Sequence, residues 1–299
     1  MSDNFHCGYI ALAGRPNVGK STLLNRILGQ KISITSRRPQ TTRHRVLGIK
    51  TRKNAQLVYV DTPGIHEFNG RAMNRHMNRA ATSVLHDVDV VVFMVDGLRW
   101  TADDDLVLKK LESVDCPVIL AVNKVDLLAS RELLLPGIQT LAEKRDFREI
   151  IPVSATRGEN LAALESCLES LLPVSPPFFP EDQVTDRSER FMVAELVREK
   201  LFRKLTKELP YGLTVEIESF KREPRIIHIH ALIWVEATSH KSIVIGKQGR
   251  LLKEVGQQAR RDIENLLGSK VNLKLWVKVK EGWADDERAL RSLGYTDYD

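Results

Sequence analysis

The chain has 299 residues, 42% hydrophobic and 28% charged, with a formal net charge of +6 and a pI near 9.2. That length exceeds one ordinary core and suits two domains, and the composition is that of a foldable globular protein rather than a disordered one. No run approaches the roughly 18 apolar residues of a membrane span, the start from Met1 to Cys7 lacks the basic and apolar regions of a signal peptide, and Cys7, Cys116 and Cys167 form neither a CxxC pair nor a disulfide framework; a cytoplasmic protein with free thiols is expected.

From Tyr9 to Leu172 short apolar runs alternate with longer helical patterns, the signature of an α/β domain with a mostly parallel sheet and helices on both faces. Strands are expected at Gly8 to Ala13, Val46 to Thr51, Gln56 to Asp61, Asp89 to Asp96, Pro117 to Asn123 and Glu149 to Val153. Only Arg52 to Ala55 separate the second from the third, too few for a crossover helix, so these two should form an antiparallel hairpin and make the sheet mixed.

The first strand runs into Gly14-Arg15-Pro16-Asn17-Val18-Gly19-Lys20-Ser21, with Thr22 opening an amphipathic helix. In a strand-to-helix turn, glycines let backbone N–H groups curl around phosphates, the lysine brings a charge to the β and γ phosphates, and the hydroxyl of Ser21 suits Mg²⁺. Asp61-Thr62-Pro63-Gly64 ends the third strand at the same carboxyl edge, where Asp61 would hold the metal and the Gly64 N–H would meet a γ-phosphate.

Asn123-Lys124-Val125-Asp126 follows the fifth strand. Guanine offers two donors that one carboxylate accepts together, whereas adenine would leave Asp126 facing an acceptor, so the site should select GTP and GDP over adenine nucleotides. Asn123 and the stem of Lys124 would brace the base. Ser154-Ala155-Thr156, after the sixth strand, would place a backbone N–H near the guanine oxygen.

Pro173, Pro176, Pro177 and Pro180 interrupt regular structure. The expected organisation is a nucleotide domain over 1–173, a Pro-rich linker over 174–186, a second domain over 187–280 and an acidic tail over 281–299. In the second domain lysine and arginine outnumber acids, and helix and strand periodicities give the order α, β, β, α, α, β if a short helix covers His240 to Val244. Ile245-Gly246-Lys247-Gln248-Gly249-Arg250 carries a Gly-x-x-Gly loop whose glycines admit a nucleic-acid backbone and whose cations face its phosphates. Lys253, Arg260, Arg261, Lys270, Lys274 and Lys278 would extend this basic surface. His228 and His230 share a strand face but lack further ligands, so no metal is expected there.

The four nucleotide motifs, in this order, resemble the translation-factor-related GTPases, and the loop within an α-β-β-α-α-β order resembles a type II KH domain, an α+β RNA-binding fold. Gln40-Thr41-Thr42-Arg43, Asp61 to Ile65 and Ile245 to Gly249 together resemble the Era family over about residues 8 to 280. That resemblance implies Thr42 as the switch threonine on Mg²⁺, with Thr41 its neighbour. It also implies binding near the 3′ end of 16S ribosomal RNA and assistance in assembling the small ribosomal subunit.

Ile65 stands where many Ras-like proteins place a water-orienting glutamine, so slow hydrolysis is expected. In the related branch a potassium ion, held partly by the residue matching Asn17, can compensate. Nucleotide state is expected to order the loop from Lys31 to Arg45 and the segment after Gly64, with the linker passing that state to the KH domain. The chain is expected to be a monomer. Weak peripheral association with the inner face of the cell membrane, and an RNA scaffold with a merely structural nucleotide, are the rival readings.

Overall fold

The computed structural model describes residues 4–66, 72–293 and 295. Residues 67–71 of the expected switch segment, and Asp297 and Asp299 of the tail, lie outside the described residues.

Long apolar runs buried on both sides make the first sheet: β1 (His6–Ala13), β2 (Val46–Thr51), β3 (Ala55–Asp61), β4 (Val90–Asp96), β5 (Val118–Asn123) and β6 (Glu149–Pro152) lie in the order β2-β3-β1-β4-β5-β6. All neighbours are parallel except β2 and β3, whose antiparallel register follows from the short turn between them. Alternate residues feed two cores. Ile10, Leu12, Tyr59 and Val92 pack on one face with α1 (Lys20–Leu28) and α5 (Leu161–Leu171). Ala11, Val60, Phe93 and Leu120 pack on the other with α2 (Ala72–Ser83), α3 (Ala102–Leu111) and α4 (Leu134–Ala142). Parallel strands covered on both faces must be apolar throughout, which is why these segments do not alternate in polarity.

The proline-containing linker runs along the hairpin. The Gln56 carboxamide oxygen accepts from the N–H groups of Phe178 and Phe179, and Ile49 N–H donates to Val184. Beyond it come α6 (Glu189–Lys204), β7 (Leu213–Arg222), β8 (Ile227–Val235), α7 (Thr238–Ile245), α8 (Arg250–Leu267) and β9 (Val271–Val279), the expected α-β-β-α-α-β order. β7 is antiparallel and β9 parallel to β8. The inward residues of all three strands pack beneath α6 and α8.

The end of the chain is less acidic in effect than its composition suggests. Trp283, Ala284, Ala289, Leu290 and Tyr295 are buried against Ala72, Met73 and Met77 of α2, with a short α9 (Glu287–Ser292) between them. Glu281, Asp285, Asp286 and Glu287 are exposed, and Asp286 caps the helix by accepting from the N–H groups of Arg288 and Ala289.

Candidate functional site

A cavity of about 490 Å³ lies at the carboxyl edge of the first sheet, lined by Pro16, Asn17, Gly19, Lys20, Ser21, Thr22, Gly64, Asn123, Lys124, Asp126 and Ala155. Four separate strand ends deliver these residues, because β1, β3, β5 and β6 all point their carboxyl ends the same way. Gly14, Arg15, Val18, Asp61, Thr62, Pro63 and Ser154 stand behind that wall rather than on it. Val18 is in the core, and the Thr62 hydroxyl donates to Leu12. The Arg15 guanidinium turns away to the buried carboxylate of Asp104, whose own role is to cap α3.

The loop from β1 to α1 and the Asp61–Gly64 turn approach as closely as backbones allow. A Cβ on Gly64 would sit 2.6 Å from the Pro16 nitrogen, which no side chain tolerates. Ile65 N–H donates to the Gly14 carbonyl across the same gap.

Ser21, Thr42 and Asp61 converge, as expected of three groups around one cation. The Ser21 hydroxyl donates to Asp61 Oδ2 at 2.6 Å and lies 2.9 Å from Thr42 Oγ1. Thr41 is spent elsewhere, its hydroxyl on Ser36 and the Arg38 carbonyl, so of the two adjacent threonines it is Thr42 that meets Ser21. Asp61 Oδ1 is buried without a partner among the described residues. An oxygen-rich cluster with one lone carboxylate oxygen fits a hard divalent cation. Ser33, whose hydroxyl donates to Asp61 Oδ2 at 2.7 Å, belongs to this cluster and has no motif to announce it.

Burial lowers the Lys20 ammonium to about 8, with Asp61 opposing that drop and Arg15 adding to it. Its Nζ donates to the carbonyls of Gly14 and Arg15. Burial raises the Asp61 carboxyl, against the hydroxyls of Ser21 and Ser33 and the charge of Lys20. Both groups are thus held in a dry site that favours an anion-and-cation ligand such as a metal–triphosphate.

At the other end of the cavity Asn123 is a brace. Its Nδ2 donates to the Val18 carbonyl and its Oδ1 accepts from Ala155 N–H at 2.9 Å, so of the amides in the Ser154–Thr156 stretch expected near a base, that of Ala155 is held by Asn123. Lys124 lies in the left-handed region and reaches Asp96. Asp126 Oδ1 is buried and unpartnered among the described residues, while Oδ2 is 3.8 Å from Arg157. A lone buried carboxylate oxygen of this kind calls for a donor from the ligand.

The remaining wall is the loop between α1 and β2: Ile34, Thr35, Ser36, Arg37, Gln40, Thr41 and Thr42. Asn17 Nδ2 donates to the Arg37 carbonyl. Ile65 is buried among apolar residues and takes no part in the cavity. Instead Gln40, in a left-handed backbone conformation, presents its side chain, and its Nε2 lies 2.8 Å from His66 Nε2. His66 Nδ1 is 2.9 Å from the Gly64 carbonyl; donating there, it leaves Nε2 to accept from Gln40. Gln40 opens the Gln40–Arg43 stretch that carries the family resemblance but is given no role by it, and His66 belongs to no motif.

Besides the expected route through the linker, this loop is packed directly on α6. Arg198 donates to the Thr41 carbonyl, and buried Glu199 accepts from Thr35 N–H and pairs with Lys31. Arg43, also buried, donates to the carbonyls of Pro210, Tyr211 and Leu213 at the start of β7. Tyr295 stacks on His44 with ring centroids 4.4 Å apart.

In the second domain α7 ends at Ile245, a single 3-10 turn spans Lys247–Gly249 and α8 begins at Arg250. Gly246 has φ 74°, and a Cβ there would lie 2.8 Å from that of Leu251, so glycine is required. Lys247, Gln248 and Arg250 are exposed, while Ile245 packs inward. Beside the loop a groove of about 430 Å³ is lined by Gly249, Leu252, Lys253, Gly256, Gln257, Arg260, Leu273 and Leu275. Apolar floor and cationic rim suit bases and phosphates respectively. The expected continuous basic surface is divided: Lys253 and Arg260 line the groove, but Lys274 and Lys278 alternate with Leu273 and Leu275 and stand on the opposite face of β9. Among the described residues no group of three His, Cys, Asp or Glu side chains is placed to hold a metal ion, His228 and His230 included.

Residues 9–124 match the family model described as a 50S ribosome-binding GTPase, and residues 208–284 match the KH domain. The chain is 62% identical to GTPase Era of Marinobacter nauticus, over 98% of this chain and 96% of the relative. It is 59% identical to GTPase Era of Pseudomonas aeruginosa, over 97% and 95%. Among solved structures, Era in complex with MgGDPNP and nucleotides 1506–1542 of 16S ribosomal RNA is 39% identical, with a TM-score of 0.94 over 98% of this chain and 99% of that one. A variant of Aquifex aeolicus Era bound to GDP·AlF4⁻ is 38% identical, also with a TM-score of 0.94, over 98% and 100%.

Proposed function

Since this chain belongs to the Era family of GTPases, we propose that its GTP hydrolysis switches a KH domain that binds single-stranded RNA near the 3′ end of 16S ribosomal RNA, assisting assembly of the small ribosomal subunit. The observation that carries the switch is the clamp of α6 on the nucleotide loop: Arg198 and Glu199, two residues of the RNA-binding half, hold the Thr41 carbonyl and the Thr35 N–H on either side of the cavity wall. A related structure holding both nucleotide analogue and ribosomal RNA supports the pairing of the two activities.

Asp126 and the Asn123 brace select guanine, and the loop Gly14 to Thr22 receives the phosphates, with Lys20 supplying charge. Ser21, Thr42 and Asp61 would hold Mg²⁺, which neutralises charge on the β and γ phosphates when bound. In hydrolysis the oxygen of water attacks the γ phosphorus and the bond to the β–γ bridging oxygen breaks, leaving that electron pair on GDP. The backbone N–H of Gly64 would meet the γ-phosphate. Ile65 cannot orient water, and we assign that task to Gln40, whose amide His66 holds in the cavity. Asn17, set against the Arg37 carbonyl, would hold a potassium ion.

In this reading the protein is a cytoplasmic monomer whose membrane association is weak and peripheral; among the described residues no helix is long and apolar enough to cross a membrane. The deciding experiment measures affinity for a short single-stranded RNA with GTP analogue and with GDP. Tighter binding with the analogue is expected, and equal affinities would remove the switch, because a ligand shifts only an equilibrium whose states it binds differently. Sedimentation with anionic vesicles, with and without competing RNA, tests the membrane association.

A further inference from the structure

β9 is the edge strand of the sheet β7-β8-β9. Its inward residues Leu273 and Leu275 floor the groove beside the Gly-x-x-Gly loop, so Lys274, Trp276 and Lys278 must project from the other face, where they meet the outward residues of β8. In register, His230 stands beside Lys274, Leu232 beside Trp276 and Trp234 beside Lys278.

Trp276 is 43% exposed, a large apolar ring in water. The His230 ring meets it edge-on at 5.1 Å, fixing its orientation. Lys278 and Lys280 lie 5.9 and 5.8 Å from the Trp234 ring, and Lys274 makes no ion pair among the described residues. The acids of this face are already engaged: Glu216 accepts from Trp234 Nε1, Glu218 lies near Lys278 and Glu223 near His228. Among the described residues, the tail's hydrogen bond to this face is that of Tyr295 to Thr214, at the start of β7.

We propose that this outer face of β8 and β9 is a second RNA-binding surface, on which single-stranded RNA leaving the groove crosses the free edge of β9 and stacks a base on Trp276, with Lys274 on its phosphates. The inference rests on the RNA-binding reading above. Its physical basis is continuity and charge. A KH groove seats about four nucleotides, the two faces of an edge strand are separated by one strand's width, and an oriented aromatic with adjacent cations is the usual platform for unpaired bases. A membrane-facing role for the same tryptophan is the competing use.

The test uses the full chain with GTP analogue and single-stranded RNAs of about four and about ten nucleotides. Trp276→Ala and Lys274→Glu should each weaken the longer RNA by about tenfold and leave the shorter unchanged. Trp276→Phe should recover most of the loss, and Lys247→Glu should weaken both lengths. If the longer RNA binds Trp276→Ala as tightly as the wild type, or both lengths weaken equally, the second surface is wrong. Loss of binding to anionic vesicles with RNA affinity intact would likewise overturn it in favour of a membrane contact. Failure of the wild type to bind either RNA, or of Lys247→Glu to affect either length, would instead sink the RNA-binding reading itself.

Discussion

The guanidinium of Arg198 donates a 2.6 Å hydrogen bond to the main-chain carbonyl of Thr41, one residue before the threonine that meets Ser21. A buried charge from the RNA-binding half is thus fixed to the backbone that closes the nucleotide cavity. Nε and Nη2 also donate to the half-buried Glu195, while Nη1 is buried with no partner among the described residues.

Uncoupling should follow from weakening this clamp without removing charge from the core. Arg198→Lys keeps a cation for Glu195 but loses the rigid planar fork that reaches Glu195 and the Thr41 carbonyl together. The ratio of RNA affinities between GTP analogue and GDP should fall toward one, with GTP affinity altered by less than about threefold, an RT ln 3 difference of about 0.7 kcal/mol. A ratio equal to that of the wild type would show that α6 does not carry the signal.

Glu199 makes the docking pH-dependent. Burial alone would raise its carboxyl, but Lys31, the Thr35 N–H and Arg203 outweigh it and hold the group below its ordinary range. The folded value therefore lies under the unfolded one, about 4.3. Stability from this group is complete above that pH and is lost as pH falls through the lowered folded value. In urea titrations the gap between wild type and Glu199→Gln should be constant from pH 7 to 6 and shrink below about pH 4; a gap that stays constant throughout would exclude the linkage.

Asp126→Asn replaces one of two acceptors with a donor that faces the guanine N1–H or amino group. Loss of one charge-assisted bond and a new donor clash should together cost about 3 kcal/mol or more, over a hundredfold in GTP affinity. ATP should not be gained. Fluorescent-nucleotide titration reads both, and unchanged GTP binding would contradict the proposed base contact.

Gln40→Ala should lower single-turnover hydrolysis by about tenfold to a hundredfold while GTP-analogue affinity stays put, the mark of a group used only in the transition state. The same assay in sodium and potassium buffers tests Asn17. Turnover that is equal in both salts leaves Asn17 with only its hydrogen bond to Arg37.

Trp283 is fully buried between the tail and α2, with its Nε1 donating to the Gly212 carbonyl. Trp283→Ala should cost about 3 to 5 kcal/mol, seen as a lower denaturant midpoint. A shift under about 1 kcal/mol would mean the tail contributes only solubility.

How much was readable before any coordinates depended on distance along the chain. Gly14 to Ser21, Asp61 to Gly64, Asn123 to Asp126 and Gly246 to Gly249 are contiguous, and each sits where an apolar run ends, so spacing alone located them. The α-β-β-α-α-β order was readable for the same reason, as periods of 3.6 and 2 are local properties. The antiparallel hairpin followed from a connection too short for anything else.

What the fold alone decided are pairings between residues far apart in sequence. Thr42, already implied by the family resemblance, has Ser21 as its partner only through the folded loop, which is pinned to α6. Gln40 reaches the cavity through His66, Arg43 binds the start of β7, and the tail's few apolar side chains, hidden among carboxylates, fill the space beside α2. Alternation along β9 sends Lys274 and Leu275 to opposite faces, so a cluster of cations in sequence becomes two surfaces in space. No local period encodes such contacts: they arise when two independently formed cores pack together and the buried polar groups between them must find partners.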